Sequence, residues 1–218
     1  MGVQTFLFAD LSGFTALTEA HGDQPAAEIA GEFVGAVTDL VSRYGAEVVK
    51  TIGDAVMVRV PEARDAIRLG VEIVRTVDGR HNFPVVHVGM HTGPAVQQGS
   101  DWFGGAVNIA ARVAGAAGGG EVLLTEATRT AAGDVSGVEL ESRGKEQFRN
   151  VAEPVRLYRA VLTGGRSEGL SIDPVCRMTV APEHRAGRLL HAGYEYCFCS
   201  FKCVSAFATD PDTYATRI

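Results

Sequence analysis

Two short apolar runs in this chain end in an aspartate, and that pattern limits what the chain can build. Phe6-Leu-Phe-Ala runs into Asp10-Leu-Ser-Gly-Phe-Thr15, and Val48-Val-Lys50-Thr-Ile runs into Gly53-Asp54-Ala-Val-Met. Both runs are strand-sized, and the turn dipeptide Gly53-Asp54 between Glu47–Ile52 and Ala55–Val60 reads as a hairpin. Adjacent strands would bring the two carboxylates to the same end of one sheet. Asp10 alone could cap a following helix, and Asp54 alone could be an ordinary turn residue. As a pair they can share divalent cations. Mg²⁺ takes one or two carboxylates plus substrate phosphate oxygens, so a triphosphate is the natural third partner. Ser12, Gly13, Phe14 and Thr15 open a helix, and their backbone N–H groups suit a phosphate cradle.

The rest of the first part alternates helix and strand. A helical pattern runs from about Pro25 to Tyr44, with Ile29, Phe33, Val37, Leu40 and Val41 on one face. Pro61 begins another, striped by Ile67, Val71 and Val74, and Val85 to His91 reads as a strand. A helix from about Gly105 to Ala117 stops at Gly118-Gly-Gly. Strands are expected at Glu121–Leu124, Gly137–Glu141 and Pro154–Val161. The order β-α-α-β-β-α-β-α-β suits an α/β (α+β) fold of ferredoxin-like palm type, a mixed sheet with helices on one face. Asn108 and Arg112, four apart, share a helix face, with Val107, Ile109 and Val113 expected to point inward. Lys50 lies in an apolar strand, where a lone buried ammonium is expensive.

Composition narrows the class. A chain of 218 residues holds one domain of about 150 residues plus a small module. Its net charge of −6 argues against a nucleic-acid partner. No apolar run approaches the roughly 18 residues of a membrane span, and no secretory leader pattern opens the chain. A cytoplasmic location is expected. From Ile172 onward five basic residues (Arg177, Arg185, Arg188, Lys202, Arg217) balance five acidic ones (Asp173, Glu183, Glu195, Asp210, Asp212), so the acidic surplus belongs to the first part. All four cysteines, at 176, 197, 199 and 203, fall in the last part. This segregation divides the chain into a domain at 1–162, a Gly/Ser-containing linker at 163–171 and a second module at 172–218.

The motifs Phe8-Ala-Asp10-Leu-Ser-Gly-Phe-Thr15, Lys50-Thr-Ile-Gly-Asp54-Ala, His87-Val-Gly-Met-His-Thr-Gly-Pro94, Asp101-Trp-Phe-Gly…Val107-Asn108…Arg112 and Arg149-Asn-Val-Ala-Glu-Pro-Val-Arg-Leu-Tyr158 occur in order. Over residues 3–161 the chain resembles the catalytic domain of class III nucleotidyl cyclases, the adenylate and guanylate cyclase family. The resemblance implies that Asp10, Leu11 and Asp54 hold two Mg²⁺ or Mn²⁺ ions. Lys50 and Asp101 fall at base-reading positions. A lysine donates to adenine N1 and an aspartate accepts from the N6 amino group, whereas guanine presents the opposite polarity, so ATP is the implied substrate. Gly13, Phe14 and Thr15 fall at phosphate-binding positions, and Arg149 stands where the family usually has a lysine for the leaving pyrophosphate. Asn108 would orient the ribose, and Arg112 would stabilise charge on the α-phosphate in the transition state. The family shares each site between protomers, so a homodimer is implied. Two departures stand out: the connection from Gly93 to Asp101 is short, lacking an arm that helps many members dimerise, and Asn150 replaces a common glycine.

Asp173-Pro-Val-Cys176-Arg-Met and Tyr194-Glu-Tyr-Cys-Phe-Cys199-Ser-Phe-Lys-Cys203-Val-Ser-Ala-Phe, followed by Asp210-Pro-Asp-Thr-Tyr214, resemble the YHS domain, a small treble-clef-like metal-binding module. Arg177 stands where glycine is usual. Cys199 and Cys203 lie one helical turn apart, and Cys176 can approach from a separate loop; three thiolates favour Zn²⁺ or Cu⁺. A module this small has little core of its own without a staple. His184 and His191 are candidate fourth ligands. The resemblances together imply an adenylate cyclase making 3′,5′-cyclic AMP and pyrophosphate, with an appended metal-binding and regulatory module. A guanylate cyclase fits Lys50 and Asp101 less well. The rival from another class is a non-catalytic metal or thiol sensor that uses the cyclase fold for dimerisation or nucleotide binding.

Overall fold

The computed structural model describes residues 2–78, 80–162 and 170–215. Nearly all of the expected linker, residues 163–169, lies outside them, while Ser171 is already paired in a strand.

The first part runs β1 (Val3–Leu11), α1 (Phe14–His21), α2 (Asp23–Val41), β2 (Glu47–Ile52), β3 (Ala55–Val60), α3 (Ala63–Asp78), β4 (Val86–Pro94), β5 (Val96–Gln98), β6 (Asp101–Phe103), α4 (Gly105–Ala116), β7 (Val122–Thr125), α5 (Glu126–Ala132), β8 (Val138–Glu146) and β9 (Val155–Leu162). Seven of these strands form one mixed sheet in the order β2-β3-β1-β4-β7-β9-β8, and β4 with β7 is its parallel pair. The second part holds β10 (Ser171–Ile172), β11 (Thr179–Val180), β12 (Gly187–His191), β13 (Tyr194–Phe198), α6 (Phe201–Thr209) and α7 (Pro211–Ala215). Among the described residues no helix is long and apolar enough to cross a membrane.

Helices cover both faces of the sheet rather than one, and β1 shows why. Its run Phe6-Leu7-Phe8-Ala9 is buried on both sides, as an unbroken apolar strand demands. Leu7, Ala9 and Leu11 point into a core with Phe33, Val37 and Leu40 of α2 and Ile67 and Val74 of α3. Phe6 and Phe8 point the other way, onto Ala106, Ala110 and Ala114 of α4. Each buried Phe or Leu stabilises by roughly 1.5–3 kcal/mol.

Gly89 on β4 sets how closely α4 approaches. A Cβ there would lie 1.9 Å from the Ala114 nitrogen and 2.3 Å from its Cα. The α4 backbone therefore rests directly on the strand. The inward face of α4 is Ala106, Ala110, Val113 and Ala114. Val107 and Ile109 are only half-buried, and Asn108 and Arg112 are exposed.

The two parts are packed together. Leu17 of α1 and Ala26 of α2 share one core with Val175, Met178, Tyr196, Phe198 and Phe207. The backbone of Arg177–Thr179 is laced to Asn82–Val85, through Val85 N–H to Arg177 O at 3.1 Å and Thr179 N–H to Phe83 O at 2.9 Å. Val85 O in turn accepts from Ser12 N–H at 2.8 Å, so the second module is two hydrogen bonds away from the loop after Asp10.

Candidate functional site

Sheet register brings the first carboxylate pair together. On β1 and β3, Ala9 pairs with Val56, so Asp10 stands beside the turn that carries Asp54. The two carboxyls are close enough for each to shift the other's protonation. Burial, and then the neighbouring Asp10 charge, push the Asp54 carboxyl up to about 6, and burial raises that of Asp10 as well. Asp10 Oδ1 is buried and has no hydrogen-bond partner among the described residues. Two crowded carboxylates, one with an unsatisfied buried oxygen, are donors of the kind hard divalent cations require. The Leu11 side chain is a hydrocarbon buried in the core, so only its backbone carbonyl oxygen could serve a cation.

His87 faces Asp10 across the β1–β4 ladder. Its Nε2 is 3.6 Å from Asp10 Oδ2, and its Nδ1 is 3.0 Å from Ser12 Oγ. Burial holds its basicity below that of an ordinary histidine, which favours the neutral ring beside the carboxylates. The motif containing His87 was visible in sequence, but its place opposite Asp10 comes only from the register.

After Ser12, Gly13 adopts a left-handed conformation (φ 72°) and starts α1 at Phe14. Gly13 and Thr15 are exposed and Phe14 is half-buried, and the first N–H groups of the helix have no intrahelical carbonyl to bond.

Lys50 and Asp101 meet: Lys50 Nζ is 2.7 Å from Asp101 Oδ2. Asp101 Oδ1 also accepts from Trp102 N–H at 2.8 Å. The hydrogen bond from Lys50, and then that from Trp102, hold the Asp101 carboxyl below the usual carboxylate range. The lysine that looked costly in an apolar strand is thus half-exposed and paired.

Asn108, Arg112 and Arg149 line one cleft of about 360 Å³, with Ala111, Asn150 and Val151 completing it. Asn150 takes a left-handed conformation (φ 63°), which asparagine tolerates better than most residues and which suits a position where glycine is common. None of Asp10, Asp54, Lys50 or Asp101 lines this cleft.

In the second module Cys176 Sγ is 3.4 Å from Cys199 Sγ, and Cys199 Sγ is 3.9 Å from Cys203 Sγ. Asp173, fully buried, accepts from Val175 N–H at 2.8 Å and Cys199 N–H at 2.9 Å, which fixes the two loops that bring the cysteines together. Cys197 is not in this group. The candidate fourth ligands are elsewhere: His184 stacks on His81 at 4.5 Å, and His191 sits 3.4 Å from Asp212. The histidine that joins the cysteines is His21, from the end of α1, with Nε2 3.5 Å from Cys199 Sγ. The four side chains offer ligand atoms all within 4.8 Å of one another.

Known proteins are similar to this chain in sequence and in fold. A pH-sensitive adenylate cyclase of Mycobacterium tuberculosis is 37% identical over 158 residues, covering 71% of this chain and 40% of that protein. An adenylate cyclase of Streptomyces coelicolor is 33% identical over 120 residues, covering 55% of this chain and 32% of that protein. The chain thus spans well under half the length of these curated relatives. Among solved structures, adenylate cyclases from Trypanosoma brucei in their monomeric state superpose with a TM-score of 0.68 at 23% identity, over 75% of this chain and 90% of theirs. The adenylyl cyclase CyaB from P. aeruginosa gives 0.62 at 22%, over 73% and 93%. At these identities the structures speak to the fold. Residues 171–218 match the YHS domain. Residues 2–159 match the adenylate and guanylate cyclase catalytic domain, and the chain belongs to that family.

Proposed function

We propose that this protein is an adenylate cyclase that converts ATP into 3′,5′-cyclic AMP and pyrophosphate in a cytoplasmic homodimer. The observation that carries the choice of ATP is the Lys50–Asp101 pair at 2.7 Å, a fixed donor beside a fixed acceptor. Adenine offers the complementary N1 acceptor and N6 donor, and guanine does not. The relatives named adenylate cyclase support the same reading.

Asp10 and Asp54, with the Leu11 carbonyl, hold two Mg²⁺ or Mn²⁺ ions. When bound, such ions polarise a phosphate and lower the pKa of a coordinated hydroxyl. Backbone N–H groups at Gly13, Phe14 and Thr15 cradle the terminal phosphates. Asn108 orients the ribose. Arg112 neutralises charge that builds on the α-phosphate, and Arg149 receives the leaving pyrophosphate. The cleft of Asn108, Arg112 and Arg149 contains neither carboxylate, which is the division expected if one protomer supplies the metals and its partner the arginines. Ile52 (54% exposed) and Phe103 (50%) lie next to the Lys50–Asp101 strands and offer apolar surface for such a contact. Cys176, Cys199 and Cys203 hold a Zn²⁺ or Cu⁺ ion in the second module, whose role is regulatory.

The test is cyclic-nucleotide formation by the purified chain with ATP or GTP and Mg²⁺ or Mn²⁺, beside Asp54→Ala. Cyclic AMP from ATP, absent in the variant, is expected. No product from a folded dimer would instead favour the non-catalytic sensor.

A further inference from the structure

We infer that His21 is the fourth ligand of one Zn²⁺ centre completed by Cys176, Cys199 and Cys203. The metal thereby fastens helix α1, and the phosphate loop at its head, to the C-terminal module. This rests on reading the three cysteines as metal ligands and adds to it a ligand from the other domain.

The distances have the right size. With Zn–S near 2.3 Å and Zn–N near 2.0–2.1 Å, tetrahedral edges are about 3.8 Å between sulfurs and about 3.5 Å between sulfur and nitrogen. The structure has 3.4 and 3.9 Å between sulfurs and 3.5 Å from Cys199 Sγ to His21 Nε2. All four ligand atoms lie within 4.8 Å of one another, so one ion reaches all of them. Cys176 and Cys203 are fully buried, while Cys199 and His21 are half-buried, giving a largely dry centre. Each ligand is held from behind. Asp173 binds the backbone of Cys199, and Ser200 Oγ accepts from Cys203 N–H at 3.2 Å. Leu17, one turn before His21, is buried in the same apolar cluster as Cys176 and Cys203 and fixes the rotation of α1.

The imidazole decides between metals. Three thiolates alone satisfy Cu⁺, whereas three thiolates and one imidazole form a closed structural Zn²⁺ set. The consequence lies at the other end of α1. This helix has eight residues, from Phe14 to His21, so its last residue and its first turn move as one short rod about 12 Å long. An ion on His21 therefore restrains the segment that presents the phosphate-binding N–H groups.

The experiment loads the full chain with Co²⁺ as a spectroscopic stand-in for Zn²⁺ and compares wild type, His21→Ala and His21→Cys, each checked for folding by circular dichroism. Wild type is expected to give thiolate charge-transfer bands together with intense tetrahedral ligand-field bands. His21→Ala should keep the charge transfer, change the ligand-field bands and bind at least ~10-fold more weakly, since even outer-shell partners are worth that much. His21→Cys should restore tight four-coordinate binding with an added thiolate band. Zn²⁺ should slow amide exchange across residues 14–21 in wild type and not in His21→Ala. Identical spectra and affinity for wild type and His21→Ala would overturn the role of His21 and leave the three-cysteine site standing. Failure of wild type to take up Co²⁺ or Zn²⁺ would overturn both.

Discussion

Arg177 lies across Gly13: a Cβ on the glycine would come within 2.7 Å of Arg177 Cγ, with Cys176 O 3.9 Å away. The same guanidinium, through Nη2, comes within 3.3 Å of where a Cβ on Gly119 would stand, and Ser12 Oγ lies 3.2 Å from that point. An arginine from the second module thus leans on the loop that follows Asp10, from a left-handed backbone position (φ 63°). Its sequence place, next to Cys176 where glycine is usual, has the positive φ that glycine adopts most easily.

With the proposed phosphate cradle at Gly13–Thr15, the Arg177 charge favours a bound triphosphate. Arg177→Ala is expected to raise KM for ATP by about 3- to 10-fold with kcat little changed, since uniform binding is removed. Steady-state kinetics at fixed metal concentration decide it. An unchanged KM would leave Arg177 with packing alone.

The Lys50–Asp101 pair makes a sharper claim about specificity. Reversing it, as Lys50→Glu with Asp101→Lys, keeps an ion pair but swaps donor and acceptor. The ratio of kcat/KM for ATP over GTP should fall by at least roughly 100-fold, because sites with mispaired polar groups reject strongly. A double variant that still prefers ATP to the same degree would remove these residues from base reading.

Gly89→Ala tests the seat of α4. The added carbon would collide with the backbone of Val113 and Ala114, which cannot swing away as a side chain could. A loss of about 3 kcal/mol or more is expected, at or beyond the upper end for overpacking. Chemical denaturation measures it. A variant with unchanged stability would mean that α4 does not rest on β4 as described.

Much of this was legible in the sequence, for reasons that mark its limits. The Gly53-Asp54 turn and the apolar runs around it are local signals, and they put the carboxylates at one sheet end. The i,i+4 spacing of Asn108 and Arg112 gave a shared face because helix periodicity is local too. Coverage of both sheet faces was missed by the expectation of helices on one face, although the unbroken apolar run of β1 fits no one-sided sheet. His21 was not legible. It lies 178 positions from Cys199, no spacing rule links them, and only the shared core around Leu17 brings them together. His87 was hidden for a similar reason: its relation to Asp10 is a matter of strand register.

Acid should weaken the fold through His91. Burial holds this histidine down at about 4, against an ordinary value of 6.5, and its Nδ1 is 2.8 Å from Thr125 Oγ1. A base whose folded pKa is depressed stabilises the fold above the unfolded value and loses that contribution as pH falls through the folded one. Between about pH 6.5 and 4, unfolding free energy should decline by at most about 3 kcal/mol from this group. His91→Gln should flatten that part of the profile, and an unaltered slope would place the acid sensitivity elsewhere.

The aspartate pair slopes the other way. The Asp54 carboxyl, raised from 3.8 to about 6 by burial and the Asp10 charge, is more easily protonated in the folded chain than in the unfolded one. Its contribution is therefore complete below about 3.8 and lost as pH rises through about 6, where two ionised carboxylates face each other. Mn²⁺ needs both ionised, so it should stabilise little near pH 5 and most above about pH 7. Melting curves with and without Mn²⁺ across this range measure the effect. Asp54→Asn should remove the downward component that this carboxyl adds to the metal-free profile, and with it the Mn²⁺ shift. A shift of equal size at both ends of the range, or one that survives in the variant, would place the cation away from Asp10 and Asp54.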